Sequence, residues 1–241
     1  NSLHDANGYK SSQCNSIYFN PAATYSPPVK ADGTSYPNVP FNNAPYDGYN
    51  PGGTKVNLAA SFRAYDSSTC WSPDCGNDTA QQAYYMAYTG SQPAMSYTYL
   101  LNGNVNTTTT FYKECSGAIA GMFTKTLVNA SQQQNFANWY SYYRTRILMA
   151  KSAVGKAIDS LNDPSNYRMG FSTHSYTGTD TGNSEFQKID DFCGSAPGCP
   201  QRTAFFSKLY GTTPSGGTPL RQALSKAGRI FAGKAGADPM Q

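Results

Sequence analysis

The 241-residue chain has little charge and no long apolar run. Only 13% of its residues are charged, and no Lys/Arg run of the kind that binds nucleic acid is present. The excess positive charge comes from single Lys and Arg residues spread over residues 129–241, which we interpret as solvated helix faces. No stretch approaches the roughly 20 apolar residues that a membrane-spanning helix needs. These absences argue against a nucleic-acid partner and against a membrane span within this chain.

Catalytic motifs are also missing. The sequence contains neither the Gly-x-Ser-x-Gly turn of serine hydrolases nor the His-Glu-x-x-His motif of zinc proteases. His4 and His174 stand far apart, and the adjacent Asp190 and Asp191 point in different directions, unlike the paired carboxylates of an acid–base site. Residues 228–235 resemble a phosphate loop, but they end in alanine where a hydroxyl is needed to hold magnesium. We therefore expect no enzymatic activity.

Six cysteines indicate an oxidising compartment. Two pairs are close in sequence, and each encloses proline together with aspartate or glycine, residues that favour turns able to bring two cysteines together. This favours the pairs Cys70–Cys75 and Cys193–Cys199 and, by elimination, Cys14–Cys115, although other pairings are compatible with the sequence. A zinc site is the alternative, but no Cys-x-x-Cys spacing supports it. Disulfides predict that the chain resides in the periplasm or outside the cell.

The polar surface is expected to be made largely of hydroxyls, amides and aromatic rings. The chain contains 19 tyrosines, and tyrosine offers a large contact area with little side-chain entropy to lose. This composition is typical of adhesive extracellular proteins. The tyrosines that we consider as adhesive contacts are Tyr84, Tyr85, Tyr88, Tyr97 and Tyr99.

Residues 1–128 are predicted to form a Tyr/Pro/Gly-rich, disulfide-tied insertion. Frequent prolines and Asp-Gly pairs make residues 1–54 irregular. A strand is predicted within 55–65. Residues 95–112 are predicted to form a β-hairpin, because β-branched and aromatic runs flank the Asn102-Gly103 turn.

Residues 129–241 are predicted to form an α/β core. Apolar residues at spacings of three and four predict one long helix over 131–161, within which Gly155 is expected to mark close packing. A strand is predicted over 167–174, and helical or irregular cover over 186–192 and 204–210. A second helix is predicted to begin at Thr218, as N-cap, and Pro219.

Several segments resemble the PilC/PilY family of type IV pilus biogenesis proteins and tip adhesins, in its N-terminal region. The most specific is Phe-Ala-Asn-Trp-Tyr-Ser-Tyr-Tyr-Arg at 136–144, and further matches are Cys-Asn-Ser-Ile-Tyr-Phe-Asn-Pro at 14–21, Tyr-Asp-Gly-Tyr-Asn at 46–50, Tyr-Arg-Met-Gly-Phe at 167–171 and Gly-Gly-Thr-Pro-Leu at 216–220. The resemblance covers most of the chain, and residues 66–130 are its least distinctive part.

The resemblance implies a von Willebrand factor A-like core, which is a Rossmann-like, doubly wound α/β sheet with helices on both faces. Such domains can hold Mg²⁺ or Ca²⁺ in an adhesion site, and Thr218 matches the threonine of its second loop. The Asp-x-Ser-x-Ser loop of that site is absent from this sequence. We therefore expect an incomplete core, in which Thr218 acts either as a metal ligand or only as a helix cap.

The resemblance also implies a role. It predicts a non-catalytic module in pilus assembly and extension, surface adhesion and twitching motility, located at the pilus tip after export through the periplasm. The implied partners are minor pilins and a host or abiotic surface. The alternatives are an extracellular carbohydrate-binding module that stacks sugars on the tyrosines listed above, and a structural, filament-forming scaffold domain.

Overall fold

The computed structural model describes residues 5–66, 76–161, 166–176, 183–193, 199–214, 217 and 219–232. The chain divides into two units, of which unit 1 comprises residues 1–26 and 38–149 and unit 2 comprises residues 27–37 and 150–241. Unit 1 extends beyond residue 128, where the sequence predicted a boundary. The mixed helix and strand composition predicted from the sequence is confirmed.

Unit 1 combines short strands and helices with long irregular segments. Two 3₁₀ turns lie at Asn7–Lys10 and Phe41–Asn43. The strands pair antiparallel as β1 with β2 and β3 with β4. The elements are β1 Ala44–Pro45, β2 Lys55–Val56, β3 Tyr84–Tyr88, α1 Thr110–Ser116, β4 Phe123–Leu127 and α2 Gln133–Tyr142.

Unit 2 is built around one antiparallel strand pair. Helix α3, Arg146–Asp159, begins in unit 1 and continues into unit 2 at Ala150. Strands β5, Tyr167–Ser172, and β6, Phe186–Phe192, pair antiparallel. Helix α4, Pro200–Gly211, packs against both strands, and helix α5 spans Leu220–Phe231. All the strand pairs found in the described parts of the chain are antiparallel, so the parallel sheet of a doubly wound fold is not among them.

The predicted long helix is two helices. Helix α2 ends at Tyr142 and α3 begins at Arg146. The hydroxyl of Thr145 accepts a hydrogen bond from the backbone N–H of Leu148 at 3.3 Å, the contact expected of a helix N-cap. The apolar periodicity continues through the break, which explains why the sequence pattern predicted one helix where the structure has two.

The predicted hairpin over 95–112 is wrong in its second half. Tyr99 and Val105 form an isolated antiparallel bridge around the Asn-Gly turn, in which Gly103 has a φ of +80°. Beyond it the chain turns into α1, because the Thr109 hydroxyl accepts a hydrogen bond from the N–H of Tyr112 and caps that helix. A threonine run that would suit a strand therefore begins a helix.

Two other strand predictions also change. Within 55–65 only Lys55–Val56 forms a strand, and Phe62 makes an isolated bridge with Gln81. Residues 186–192 were expected to be helical or irregular, but they form β6 because they pair with β5, which the predicted strand over 167–174 correctly located.

Aromatic rings fill the core of unit 1. The ring of Phe136, on α2, lies 4.9 Å from Phe19, 5.3 Å from Phe62 and 4.9 Å from Trp139, measured between centroids. All four residues are buried. Tilted and edge-on contacts of this kind stabilise by about 0.5–1.5 kcal/mol per pair beyond the area they bury. The core of unit 1 is thus formed where α2 packs against the irregular N-terminal segment.

The polar side chains of α2 hold that irregular segment in place. Asn135 accepts a hydrogen bond from the N–H of Tyr25 at 2.7 Å and donates to the carbonyl of Ala23. Trp139 donates its indole N–H to the carbonyl of Ile17 at 2.8 Å. Because irregular segments lack ladder hydrogen bonds, their backbone groups need such side-chain partners when buried. Residues 17–25 are thus held by α2 as well as by the disulfide at Cys14.

Candidate functional site

The predicted metal site cannot be located on the structure. Thr218 and its neighbours Gly216 and Ser215 lie outside the described residues. In the described part of the chain, Pro219 stands at the N-cap position of α5, immediately before Leu220, whereas the sequence predicted Thr218 as N-cap and Pro219 as the first helical residue. Over the described ranges, no three His, Cys, Asp or Glu side chains are grouped so that they could hold a metal ion.

Tyr84 and Tyr85 lie in the core instead of on the surface. Tyr84 is only 3% exposed, and its hydroxyl donates to the Asp78 carboxylate at 2.8 Å. Burial and this hydrogen bond raise the pKa of Tyr84. Tyr85 is also buried, with its ring 5.7 Å from Phe19. Because both rings are enclosed by the protein, neither offers a stacking surface to a ligand in this conformation.

Tyr88 and Tyr97 are half-buried and hold neighbouring loops. The hydroxyl of Tyr88 donates to the buried carboxylate of Glu114 at 2.6 Å and accepts from the N–H of Gln92. Tyr97 donates to the carbonyl of Cys14 at 3.0 Å, and its ring meets Phe111 edge-on at 4.7 Å. These contacts are structural. Of the five tyrosines singled out from the sequence, Tyr99 is the most exposed, at 66%.

Two of the predicted disulfides are present. Cys14 and Cys115 are bonded, with Cα atoms 5.7 Å apart, and they pack against Phe111 in unit 1. Cys193 and Cys199 are bonded in unit 2, where they link the end of β6 to the start of α4. The proposed partners Cys70 and Cys75 lie outside the described residues.

Helix α5 has apolar residues on two sides. On one side Ile230 is buried against Phe186. On the other side Leu220, Leu224 and Phe231 are 65%, 76% and 67% exposed; we call these three residues the α5 face. Their spacings of four and seven place them on one side of the helix. An exposed apolar face of this kind is a candidate contact surface for another element or a partner.

The inner side of α5 is fixed by Lys226. Its ammonium donates to the carbonyl of Tyr176 at 2.9 Å and to the Ser172 hydroxyl, and lies 4.9 Å from the centre of the Phe186 ring. Burial lowers the pKa of this lysine, opposed by the nearby Glu185 carboxylate. Since these contacts hold the helix by its inner side, the α5 face points away from β5 and β6.

A second apolar surface lies in unit 1. Tyr99, Leu100 and Leu101, which we call the 99–101 tip, are all exposed, and Leu101 is fully so. The sequence singled out Tyr99 but neither leucine, because residues 95–112 were predicted to form a β-hairpin. The sequence contains a signal for each surface. Helix α5 carries Leu220, Leu224, Ile230 and Phe231, more apolar side chains than one buried helix face holds. At the tip, two leucines directly precede an Asn-Gly turn.

Three curated relatives cover nearly the whole chain. They are the type IV pilus biogenesis factors PilY1 of Pseudomonas aeruginosa strains PAO1, PAK and UCBPP-PA14, which are 30%, 29% and 31% identical over 92% of this chain. The chain spans only 18% of the length of each of these relatives. The resemblance to the PilC/PilY proteins is therefore confirmed, for a segment of those proteins.

The other comparisons add no relative. Neither a family model nor a solved structure matches the chain. Among the helices in the described ranges, none combines the length and apolar character needed to cross a membrane.

Proposed function

We propose that this chain is a segment of a type IV pilus biogenesis protein and that it serves as a non-catalytic binding module in pilus assembly and extension, in adhesion to surfaces and in twitching motility. The observation that carries this proposal is the similarity to PilY1 over 92% of the chain. A match of this extent includes both units, and so it relates the whole chain to pilus biogenesis factors.

The most specific part of the resemblance supports the proposal through its structural role. Residues 136–144 include Asn138, Trp139 and Ser141, whose side chains bond to the irregular segment at Val39, Ile17 and Pro45. These contacts hold the irregular N-terminal segment against α2.

We further propose that unit 2 belongs to a von Willebrand factor A-like core that a further segment of the longer protein completes. Two observations support this. Strands β5 and β6 pair antiparallel, and doubly wound sheets often include one antiparallel edge strand, so this pair is compatible with the edge of such a sheet. The α5 face is apolar and exposed, and a helix in such a fold packs its apolar face on the central sheet. The relatives are long enough to supply further strands, since the chain matches 18% of their length.

In the complete core, Thr218 would contribute its hydroxyl to a Mg²⁺ or Ca²⁺ adhesion site, because these ions prefer oxygen ligands. The described residues contain no group of three or more His, Cys, Asp or Glu side chains that could hold a metal ion, and no step of the proposed function is routed through that ion.

The proposed setting is the cell surface at the pilus tip, reached through the periplasm, with minor pilins and a host or abiotic surface as partners. The two disulfides support an oxidising compartment. The low charge and the many tyrosines support contacts that adapt to different surfaces.

The test is co-purification. An affinity tag on the longer protein in its own bacterium, followed by cross-linking and mass spectrometry, is expected to recover minor pilins from the envelope fraction. Recovery of cytoplasmic proteins alone would overturn the proposal. A glycan array on the isolated chain checks the rival carbohydrate-binding function, which would be favoured by glycan binding that Tyr99→Ala abolishes.

A further inference from the structure

We infer that the 99–101 tip inserts into the interface of an uncharged lipid bilayer. The tip consists of an aromatic residue and two leucines, all exposed at a sharp turn. Among the described aromatic side chains of unit 1, Phe19, Phe62 and Phe136 are enclosed, whereas Tyr99 is 66% exposed. The protein thus leaves apolar side chains in water at this turn, where an apolar phase can reach them.

The backbone polar groups of the turn already have hydrogen-bond partners, which lowers the free-energy cost of moving the turn from water into a bilayer. Leu100 donates to the carbonyl of Asn104 at 2.8 Å, Gly103 donates to the carbonyl of Leu100 at 2.9 Å, and Asn106 donates to the carbonyl of Thr98 at 2.8 Å. The N–H of Asn104 also donates to the side chain of Asn102. Unpaired backbone groups are the main penalty for burying a loop in hydrocarbon, and these bonds remove several of them.

The charge of the segment matches a neutral surface. No charged residue occurs from Thr79 to Tyr112, so insertion of the tip would not desolvate a charge of its own segment. Tyr99 adds a ring with a polar end, the type of side chain that favours the boundary between headgroups and acyl chains. A neutral, zwitterionic bilayer therefore fits this surface better than an anionic one, which would attract basic residues.

The tip rests on a rigid base. Tyr97, two residues before Tyr99, donates a hydrogen bond to the carbonyl of Cys14 and packs edge-on against Phe111. Cys14 is in turn linked to Cys115 at the end of α1. Because the base is fixed, little conformational entropy remains to be lost when the tip binds.

This inference deepens the adhesive part of the proposed function and rests on it for its biological setting. It can fail separately, because vesicle binding by the isolated chain tests the tip, whereas recovery of minor pilins tests the role in the pilus.

The experiment uses the full chain and phosphatidylcholine vesicles in a sedimentation assay. The wild-type chain is expected to bind, and the double variant Leu100→Asp/Leu101→Asp is expected to bind at least tenfold more weakly, because each leucine loses its burial in the acyl region. The control is Leu127→Asp, at a leucine of β4 that is 50% exposed and lies outside both the tip and the α5 face, which should bind like the wild type. Unchanged melting temperatures verify that the variants fold.

Tryptophan fluorescence measures how deeply the tip inserts into the bilayer. In Tyr99→Trp, the added tryptophan fluorescence should shift to the blue and be quenched by brominated lipid, and raising the salt concentration should not weaken binding. The inference is overturned if the wild type does not sediment with vesicles, if salt abolishes binding, or if Leu127→Asp loses as much binding as the tip variant. It is also overturned if the tip variant only dissociates a dimer of this chain in analytical ultracentrifugation.

Discussion

Asn138 on α2 accepts a hydrogen bond from the backbone N–H of Val39 at 3.0 Å, across 99 residues of sequence. The same amide donates to the side chain of Asn38. Asn138 is only 4% exposed, so water cannot replace it as a partner. One buried side chain thus fixes a segment that has no regular secondary structure of its own, and it lies within the motif that best identifies the resemblance to PilC/PilY proteins.

Asn138→Ala is expected to destabilise unit 1 by about 1–3 kcal/mol, because it leaves the buried N–H of Val39 without its acceptor. Urea denaturation followed by Trp139 fluorescence measures the loss. Gln133→Ala, at the first residue of α2, is the control and should change stability by no more than about 0.5 kcal/mol. Equal effects of the two substitutions would show that the Asn138 contact does not hold the segment.

Gly155→Ala is expected to destabilise unit 2, although alanine is the better helix former. A Cβ at Gly155 would lie 2.2 Å from the hydroxyl of Tyr210, which is itself bonded to the carbonyl of Val29. The close packing predicted at Gly155 from the sequence is therefore present. Gly228→Ala in α5 meets nothing within 4 Å and should stabilise by up to about 1 kcal/mol. Thermal unfolding should move the two melting temperatures in opposite directions, and a gain at Gly155 would contradict the packing.

Removal of the Cys14–Cys115 disulfide is expected to cost about 2–5 kcal/mol, more than removal of Cys193–Cys199. The first bond joins residues 101 apart and the second joins residues 6 apart, and the stabilisation grows with the length of the loop that is closed. Chemical denaturation of Cys14→Ser/Cys115→Ser and Cys193→Ser/Cys199→Ser compares them. A larger loss in the second double variant would contradict this order.

Intact mass with and without reductant should differ by six hydrogens if Cys70 and Cys75 are also bonded.

The chain is expected to lose stability as the pH rises above about 10. Burial raises the pKa of Tyr140 to about 12, against a lowering effect of the Arg144 guanidinium. Burial also raises the pKa of Tyr18 well above its usual value. Tyrosines in the unfolded chain ionise near pH 10, so the contribution of each buried tyrosine to the free energy of unfolding is fully present below that pH. Above it, this contribution falls by about 1.4 kcal/mol per pH unit until the pH reaches the pKa of that tyrosine in the folded chain.

Melting temperatures measured between pH 8 and pH 12, with intact disulfides verified by mass, check this pH dependence. The variant Tyr140→Phe should show a shallower decline than the wild type, because it has one buried phenol fewer to ionise on unfolding. A melting temperature that stays constant up to pH 12 would contradict the burial of these phenols.

Local chemistry was predictable from the sequence, whereas contacts distant in sequence were not. The close cysteine pair Cys193–Cys199 and the close packing at Gly155 followed from nearby residues. The break between α2 and α3 depends on the hydroxyl of Thr145, whose capping role the continuous apolar pattern concealed. Strand β3 was missed because it pairs with β4 across α1, and its residues are buried with no alternation.

The candidate surfaces were predicted only in part for the same reason. Tyrosine-rich composition indicated contacts, but composition does not distinguish Tyr84, enclosed in the core, from Tyr99, exposed at the tip. That difference arises from tertiary packing against Phe62 and Asp78. Similarly, Thr218 and Pro219 predicted the start of a helix, whereas the division of α5 into a buried and an exposed side depends on the position of β6.

The most direct test of the proposed pilus role is the number of surface pili per cell, counted by electron microscopy after in-frame deletion of this segment from the gene of the longer protein. Immunoblotting has to show that the shortened protein is still made and exported. The account predicts that surface pili and twitching motility are lost and that a plasmid copy of the intact gene restores both. Wild-type numbers of pili in cells that contain the shortened protein at normal levels would contradict it.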